Sequence, residues 1–218
     1  RIRDNPRQFL DLAHPEVRSH LLETVDRLVG MGIGYIKNDF NGCVSLGDNN
    51  RPGRSPAAGL LEQTDALQDL VRDIRARHPG LVLENCASGA MRQDYGLLSG
   101  FHVQSVSDQE REDLFPAILQ GAMACLLPEH CGAWAYPRPR YFPERNLDPE
   151  TDPAAVTYGG PEQTVLTLVN GLCGRMMLSG RIDRASGEDL DLIREAVSLS
   201  RSLGGFLESS FPAWPLGM

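Results

Sequence analysis

Three short apolar runs in this sequence each end in a cluster of polar side chains whose types suit acid–base chemistry. The first cluster is Lys37-Asn38-Asp39-Phe40-Asn41, which follows the β-prone residues 32–36. A buried strand has no use for so much polarity at its end, whereas a parallel barrel builds its active site from residues at the carboxyl ends of its strands. Asp39 is therefore the first candidate for a catalytic group.

Two further clusters could supply a second carboxylate. One spans Glu84 to Gly89, and the other runs from Gln104 to Glu110 and contains Asp108. If the strands are parallel, all the clusters lie at one end of the sheet, and Asp39 and Asp108 flank one cavity. Two facing carboxylates suit a retaining glycosidase, in which one attacks the anomeric carbon and the other protonates the leaving oxygen.

Each candidate also has an ordinary structural explanation, which the sequence leaves open. Asp108 could cap the start of a helix, because its carboxylate can accept hydrogen bonds from the free N–H groups there. Lys37 and Asp39 are two residues apart and share one face of a strand, where they could simply form an ion pair. Arg92 alone is more typical of a structural role, and Trp134 could be core or a platform for a sugar ring.

The elements that must position these clusters alternate along the chain. Apolar runs predict strands near residues 9, 35, 82, 103, 127 and 177, and runs with one apolar face predict helices at 14–31, 60–78, 115–125, 161–171 and 189–203, the last ended by Gly204-Gly205. Such alternation indicates an α/β protein with a parallel sheet. A (β/α)8 barrel needs eight strands in about 250 residues. Residues 1–218 are therefore predicted to be one domain, the later six or so βα units of a TIM barrel whose N-terminal strands are absent. A doubly wound sheet is the alternative, weakened by the lack of a Gly-rich turn after the first strand.

The composition limits the class of protein. With 29 acidic and 21 basic residues the net charge is -8, which argues against a nucleic-acid surface, since that needs clustered Lys and Arg. No apolar run approaches the roughly 20 residues of a membrane-spanning helix, so no membrane partner is expected. The five cysteines are scattered without a C-x-x-C pair. This pattern favours a reduced, cytoplasmic protein without a zinc site, while one internal disulfide stays open.

At these clusters the sequence resembles glycoside hydrolase family 36, the α-galactosidase family that shares a clan with family 27. The family's K-W-D-M-N segment, which carries the nucleophile, is matched by residues 37–41, and its C-S-S-G-G-G-R stretch by residues 86–92. Its S-D-N segment, which carries the acid/base, is matched by residues 107–109, and its L-D-L-x-x-P-E-V lead-in by residues 10–17. The resemblance covers nearly the whole chain, in the right order and spacing.

The resemblance implies a retaining glycoside hydrolase that cleaves terminal α-linked galactose-type sugars by double displacement. Asp39 would be the nucleophile and Asp108 the acid/base. The residues that would contact the substrate are Lys37, Asn41, Cys86, Gly89, Arg92 and Trp134. The implied partner is an oligosaccharide or glycoside, and a homo-oligomer would be common for the family. Neither a metal nor an organic cofactor is implied.

Several positions depart from the family's pattern at the expected pocket. Compared with that pattern, Asn38 replaces Trp, Phe40 replaces Met, Ala90-Met91 replace two glycines, Gln109 replaces Asn, and Trp134 stands where His is frequent. These changes keep three alternatives open: an α-N-acetylgalactosaminidase, a galactosyl transglycosylase of the same family, and a non-catalytic carbohydrate-binding barrel.

Overall fold

The computed structural model describes residues 2–3, 8–41, 55–138 and 161–215. The chain forms two compact units, the first made of residues 1–87 and 91–102 and the second of residues 88–90 and 103–218. Residues 88–90 thus belong to the unit that contains Asp108, although they follow a strand of the first unit. None of the helices in the described ranges combines the length and the apolar character that a bilayer requires of a spanning segment.

The first unit contains four strands and three helices among its described residues. In chain order they are β1 (Ile2–Arg3), β2 (Gln8–Phe9), α1 (Pro15–Gly30), β3 (Tyr35–Asp39), α2 (Pro56–Arg77), β4 (Val82–Cys86) and α3 (Tyr95–Leu98). A proline begins α1, where the missing N–H is no loss. Ser55 caps α2 by accepting a hydrogen bond from the Ala58 N–H at 3.2 Å. Helix α2 therefore begins at Pro56, four residues before the predicted start at residue 60.

The strands β3 and β4 pair in parallel and bury one face against helices. Ile36 and Leu83 belong to a core built with the apolar sides of α1 and α2. Successive strand residues point to opposite faces. The opposite face therefore carries the polar and reactive side chains, which are Lys37, Asp39, Glu84 and Cys86.

The second unit continues the alternation of strands and helices. Its elements are β5 (Val103–Ser105), α4 (Phe115–Met123), a 3₁₀ turn (Pro128–His130), β6 (Cys131–Arg138), α5 (Pro161–Leu172), β7 (Arg175–Gly180), a second 3₁₀ turn (Ile182–Arg184) and α6 (Gly187–Leu207). The strands β5, β6 and β7 pair in parallel. A capping box begins α6, in which Ser186 and Asp189 each bond the other's backbone N–H.

The parallel sheet has the strand order β3-β4-β5-β6-β7. Each of these strands is followed along the chain by a helix. Parallel neighbours that follow the chain order, each with a helix after it, are the consecutive βα units predicted for part of a (β/α)8 barrel. The strand predicted near residue 9 does not join this sheet, because β2 pairs antiparallel with β1.

Three predicted elements lie elsewhere than expected. The strand predicted at 32–36 is β3, at 35–39, so Lys37 and Asp39 lie within the strand and not beyond it. The strand predicted near 127 begins only at Cys131, because Pro128 lacks the N–H that a strand ladder needs and starts a 3₁₀ turn instead. The last helix continues through Gly204-Gly205 to Leu207.

Candidate active site

Asp39, the predicted nucleophile, is the last residue of β3 and lies opposite Cys86 in the ladder with β4. The Phe40 N–H donates to the Cys86 carbonyl at 2.9 Å, so the pairing continues one residue past the strand end. The Cys86 side chain is fully buried, whereas Asp39 is exposed. The carboxylate of Asp39 is thus held on a fixed backbone and remains accessible to a ligand.

Lys37 lies two residues before Asp39 on the same face and pairs with a carboxylate that the sequence did not single out. The Lys37 ammonium is 3.6 Å from Oε1 of Glu84. The Tyr35 hydroxyl donates to Oε2 of the same carboxylate at 2.6 Å. Glu84 is 2% exposed, so Tyr35 and Lys37 both contact a buried carboxylate.

The charge of Lys37 is stabilised by these neighbours. Burial by itself would lower the pKa of Lys37, but electrostatic interactions with Glu84, Cys86 and Asp39 and a hydrogen bond with the Cys86 side chain raise it above its ordinary value of 10.5. Lys37 is therefore a cation at neutral pH, and its ammonium interacts with Asp39 on its own strand and with Glu84 and Cys86 on β4. It is also the one lysine of the sequence, since the other 20 of the 21 basic residues are arginines.

Arg92 occupies a different place from the predicted substrate contacts Lys37 and Cys86. Its guanidinium carbon lies 3.7 Å from the centroid of the Phe40 ring, in a cation–π contact. The Phe40 ring in turn meets Phe9 edge-on, with ring centroids 5.1 Å apart. Residues of α2, Leu60 and Leu67 among them, line a pocket together with Phe40 and Arg92. Arg92 therefore packs on the helix side of β3, away from the face that carries Asp39.

Asn41 also lies beside the helices. It lines a cavity of about 890 Å³ together with Asn38, Asp39 and apolar residues of α1 and α2. The Asn38 position, where the family pattern has Trp, thus faces an apolar wall. Because a sugar presents many hydroxyl groups, this apolar cavity suits a sugar less well than the polar face of β3 and β4.

The second unit holds the predicted acid/base, Asp108, in a loop without helical structure. Helix α4 begins only at Phe115, with Leu114 at its N-cap position, so the helix-cap explanation of Asp108 is wrong. Ser107 Oγ accepts a hydrogen bond from the Gln109 N–H at 3.0 Å, which fixes the turn around Asp108. The Asp108 side chain is exposed.

Gly89 packs directly against this loop. Its φ is +79°, and a β-carbon built on it would lie 2.6 Å from the Ser107 α-carbon and 3.2 Å from the Asp108 nitrogen. The Gln104 amide also donates to the Gly89 carbonyl at 3.4 Å. The predicted contact residue Gly89 therefore supports the backbone of Asp108.

Trp134 lies on β6 and is half-buried. Its indole N–H donates to the Ser105 hydroxyl at 3.1 Å, and its ring stacks on Tyr136 with centroids 5.9 Å apart and planes 22° apart. Ala133 and Ala135 on the same strand pack into cores with helices. Trp134 and Tyr136 therefore lie on the other face of the sheet, although Trp134 also contacts one of those cores.

Within the part of the chain that the structure describes, no group of three His, Cys, Asp or Glu side chains could hold a metal ion.

Comparison with known proteins decides the family. The model of the Melibiase family matches residues 1–128, which include both β3 and the loop of Asp108. The chain belongs to the melibiase family. α-Galactosidase 2 of Pediococcus pentosaceus is 30% identical over 101 residues, which are 45% of this chain and 14% of that protein.

Solved structures of the same family share the fold. An α-galactosidase of Geobacillus stearothermophilus, from glycoside hydrolase family 36, gives a TM-score of 0.73 at 18% identity, over 94% of this chain and 27% of that one. The α-galactosidase of Lactobacillus brevis gives 0.70 at 18% identity, over 89% and 24%. Other structures of the Geobacillus enzyme are complexes with stachyose and with raffinose. The chain thus spans about a quarter of these melibiase-family enzymes, and their fold confirms the predicted partial (β/α)8 barrel.

Two residues of β3 and β4 have roles that the sequence pattern does not indicate. The pattern places Glu84 in a polar cluster and Tyr35 in a strand, without assigning a function to either. Their bond joins residues 49 positions apart and depends on the register between β3 and β4. The sequence does contain one signal for this site. Position 37 has the one lysine of the sequence beside 20 arginines, and the two side chains are not interchangeable as hydrogen-bond donors.

Proposed function

We propose that this chain is part of the catalytic barrel of a retaining α-galactosidase-type glycoside hydrolase. Asp39 is the nucleophile and Asp108 the acid/base, each at the carboxyl end of a parallel strand. The observation that carries the proposal is the position of Asp39, exposed at the end of β3 beside a half-buried, charged lysine, in a chain of the melibiase family.

The reaction proceeds in two displacements. Asp39 attacks the anomeric carbon of an α-linked galactose-type sugar while Asp108 donates a proton to the leaving oxygen. A covalent glycosyl-enzyme forms with inverted configuration. Asp108 then removes a proton from water, which attacks the anomeric carbon and releases Asp39 with the original α configuration restored. If a sugar hydroxyl replaces water in this step, the same residues perform transglycosylation.

Lys37 supports this chemistry through its ammonium, which offers three N–H donors to sugar hydroxyl groups. It lies on the same strand face as Asp39. The family relatives are α-galactosidases by name, and two structures of one of them are complexes with stachyose and with raffinose.

The proposal is tested with the intact protein and a panel of aryl α-glycosides. We expect turnover of the α-galactoside with α-galactose as the first product, measured by NMR. The variant Asp39→Gly should lose at least about 1,000-fold in kcat. Added azide should restore turnover of an activated aryl galactoside and give β-galactosyl azide. An Asp39→Gly variant with normal turnover would overturn the proposal.

The same panel separates the alternatives. Turnover of the α-N-acetylgalactosaminide in preference to the α-galactoside would identify that sugar as the substrate. Oligosaccharide products at high acceptor concentration would identify a transglycosylase. Sugar binding by calorimetry without turnover of any substrate would identify a non-catalytic carbohydrate-binding barrel.

A further inference from the structure

A buried carboxylate, Glu84, lies next to the predicted sugar-binding cation. Its residue is 2% exposed, yet it lies on the same polar strand face as Lys37, Asp39 and Cys86. A buried carboxylate is costly unless it is paired or hydrogen-bonded. The compensating groups are the Lys37 ammonium at 3.6 Å and the Tyr35 hydroxyl at 2.6 Å. Tyr35, Lys37 and Glu84 form a network that joins β3 to β4 on the strand face that also carries Asp39.

The two oxygens of Glu84 have different surroundings. Oε2 accepts the hydrogen bond from Tyr35. Oε1 is the oxygen nearest Lys37, and within the described residues it accepts no hydrogen bond of normal length. The Tyr35 bond thus turns the carboxylate so that its other oxygen is directed at the ammonium. This arrangement fixes the orientation of the Glu84 carboxylate and places its negative charge beside the Lys37 ammonium.

A lysine needs such a partner more than an arginine does. The ammonium is a compact charge on a flexible four-carbon stem, so its position is set by its neighbours. In this chain 20 of the 21 basic residues are arginines, and the single lysine stands next to the buried carboxylate of Glu84. An arginine at position 37 would present a rigid planar fork instead of a small rotatable donor.

We propose that Glu84, oriented by Tyr35, is a positioning residue that holds the Lys37 ammonium in place beside Asp39 for contact with the sugar. This inference rests on the proposed function. Glu84 touches neither the sugar nor the reacting atoms and acts through Lys37. Among the described residues, the titratable groups that interact with Lys37 include Glu84, Cys86 and Asp39, and removing the charge of Glu84 leaves the burial of Lys37 in place.

The kinetic test uses Glu84→Gln, which keeps the shape of the side chain and removes its charge. We expect KM for the aryl α-galactoside to rise about 10-fold or more. Glu84→Asp, which keeps the charge, should restore part of the loss. In a Lys37→Met background, Glu84→Gln should have little further effect, because both changes remove one interaction. Full additivity of the two changes would overturn the inference.

A second readout is independent of turnover. Because the chain has one lysine, labelling lysine with ¹³C at the ε-carbon gives a single resonance from this chain, whose titration follows Lys37 alone. We expect the titration midpoint to fall by about one pH unit or more in Glu84→Gln, as expected on loss of a neighbouring opposite charge. An unchanged midpoint would overturn the inference. Galactose affinity, measured by calorimetry, should fall in parallel with the midpoint.

The control is another buried carboxylate with a structural role. Asp189 is 2% exposed and bonds Thr164 and Ser186 in the second unit. Asp189→Asn should lower the melting temperature and leave the Lys37 midpoint unchanged. Failure of the proposed function would be seen differently, as wild-type protein without turnover. In that case the titration midpoint of Lys37 and the galactose affinity, each compared between wild type and Glu84→Gln, would still support or overturn the role of Glu84.

Discussion

The backbone of Gly89 lies against that of Ser107, at a distance that leaves no room for a side chain. A β-carbon on Gly89 would lie 2.6 Å from the Ser107 α-carbon. Heavy atoms do not approach this closely without a shift of the backbone. Ser107 directly precedes Asp108, so this contact fixes the position of the backbone that carries the proposed acid/base.

Replacing Gly89 by alanine should therefore destabilise the protein and disturb the Asp108 loop. A side chain at φ +79° costs about 1–2 kcal/mol by itself, and the contact with Ser107 adds to this. Gly32 offers a matched control, because its φ is +92° but nothing lies within 4 Å of its added β-carbon. We expect Gly89→Ala to lower the free energy of unfolding in urea more than Gly32→Ala. Equal losses would show that the contact is unimportant.

The role of Asp108 can be distinguished from that of Asp39 by the leaving group. Asp108→Ala should lower kcat/KM for an alkyl or sugar leaving group by about 100- to 10,000-fold, because that oxygen must be protonated as it leaves. A substrate with an acidic phenol as its leaving group needs no such protonation, so its kcat/KM should fall less in Asp108→Ala. Azide should give α-galactosyl azide with this variant, the opposite anomer to that from Asp39→Gly.

A nearby carboxylate serves as the control for this variant. Asp113 is half-exposed and bonds Arg111, outside the proposed machinery. Asp113→Ala should hydrolyse both kinds of substrate at wild-type rates. Equal losses with both leaving groups in Asp108→Ala would contradict the acid/base assignment.

Asp26 links α1 to the end of α2 and should make stability depend on pH. It accepts hydrogen bonds from His78 at 2.7 Å and Arg77 at 2.9 Å. The bond with His78, aided by the charge of Arg77 and opposed by desolvation, holds the pKa of Asp26 below its ordinary value of 3.8. A lowered pKa contributes stability above pH 3.8 that is lost as the pH falls through the folded-state pKa.

We therefore expect Asp26→Asn to unfold more easily than wild type near neutral pH. The difference should shrink below about pH 4 and vanish in stronger acid, since both proteins are then neutral at this position. Urea unfolding at several pH values measures it. Asp191→Asn, which removes an exposed pair with Arg194 within one helix, should change stability little. A difference that grows in acid would contradict the assignment.

The cysteines should differ strongly in reactivity. Burial, with a smaller contribution from the charge of Glu129, raises the pKa of Cys131 to about 12. Cys125 is exposed, and both are free thiols. Because the thiolate is the nucleophile, a rise of three units from 9.0 lowers the reactive fraction of Cys131 roughly 1,000-fold. Iodoacetamide at pH 8 should modify Cys125 first, as followed by peptide mass spectrometry. Comparable rates in the folded protein would contradict this, and in urea the two rates should converge.

Much of the fold could be predicted from local pattern. Helices with one apolar face, such as α1, must bury that face, so their position follows from the spacing of apolar residues. The alternation with short apolar runs then indicates a parallel sheet, and the family confirms it. The strand near 127 was misplaced because Leu126-Leu127 has the composition of a strand, while the proline that follows excludes it from the ladder.

The sequence by itself determined the family, the alternation of strands and helices, and the two aspartates to test. Those features depend on residue types and on spacing along the chain. Only the tertiary structure decided that Glu84 meets Lys37 and Tyr35, that Arg92 packs on Phe40 beside the helices, and that Gly89 supports Ser107. These contacts join residues distant in sequence, and a shift of one residue in strand register would reverse every face, so local pattern cannot specify them.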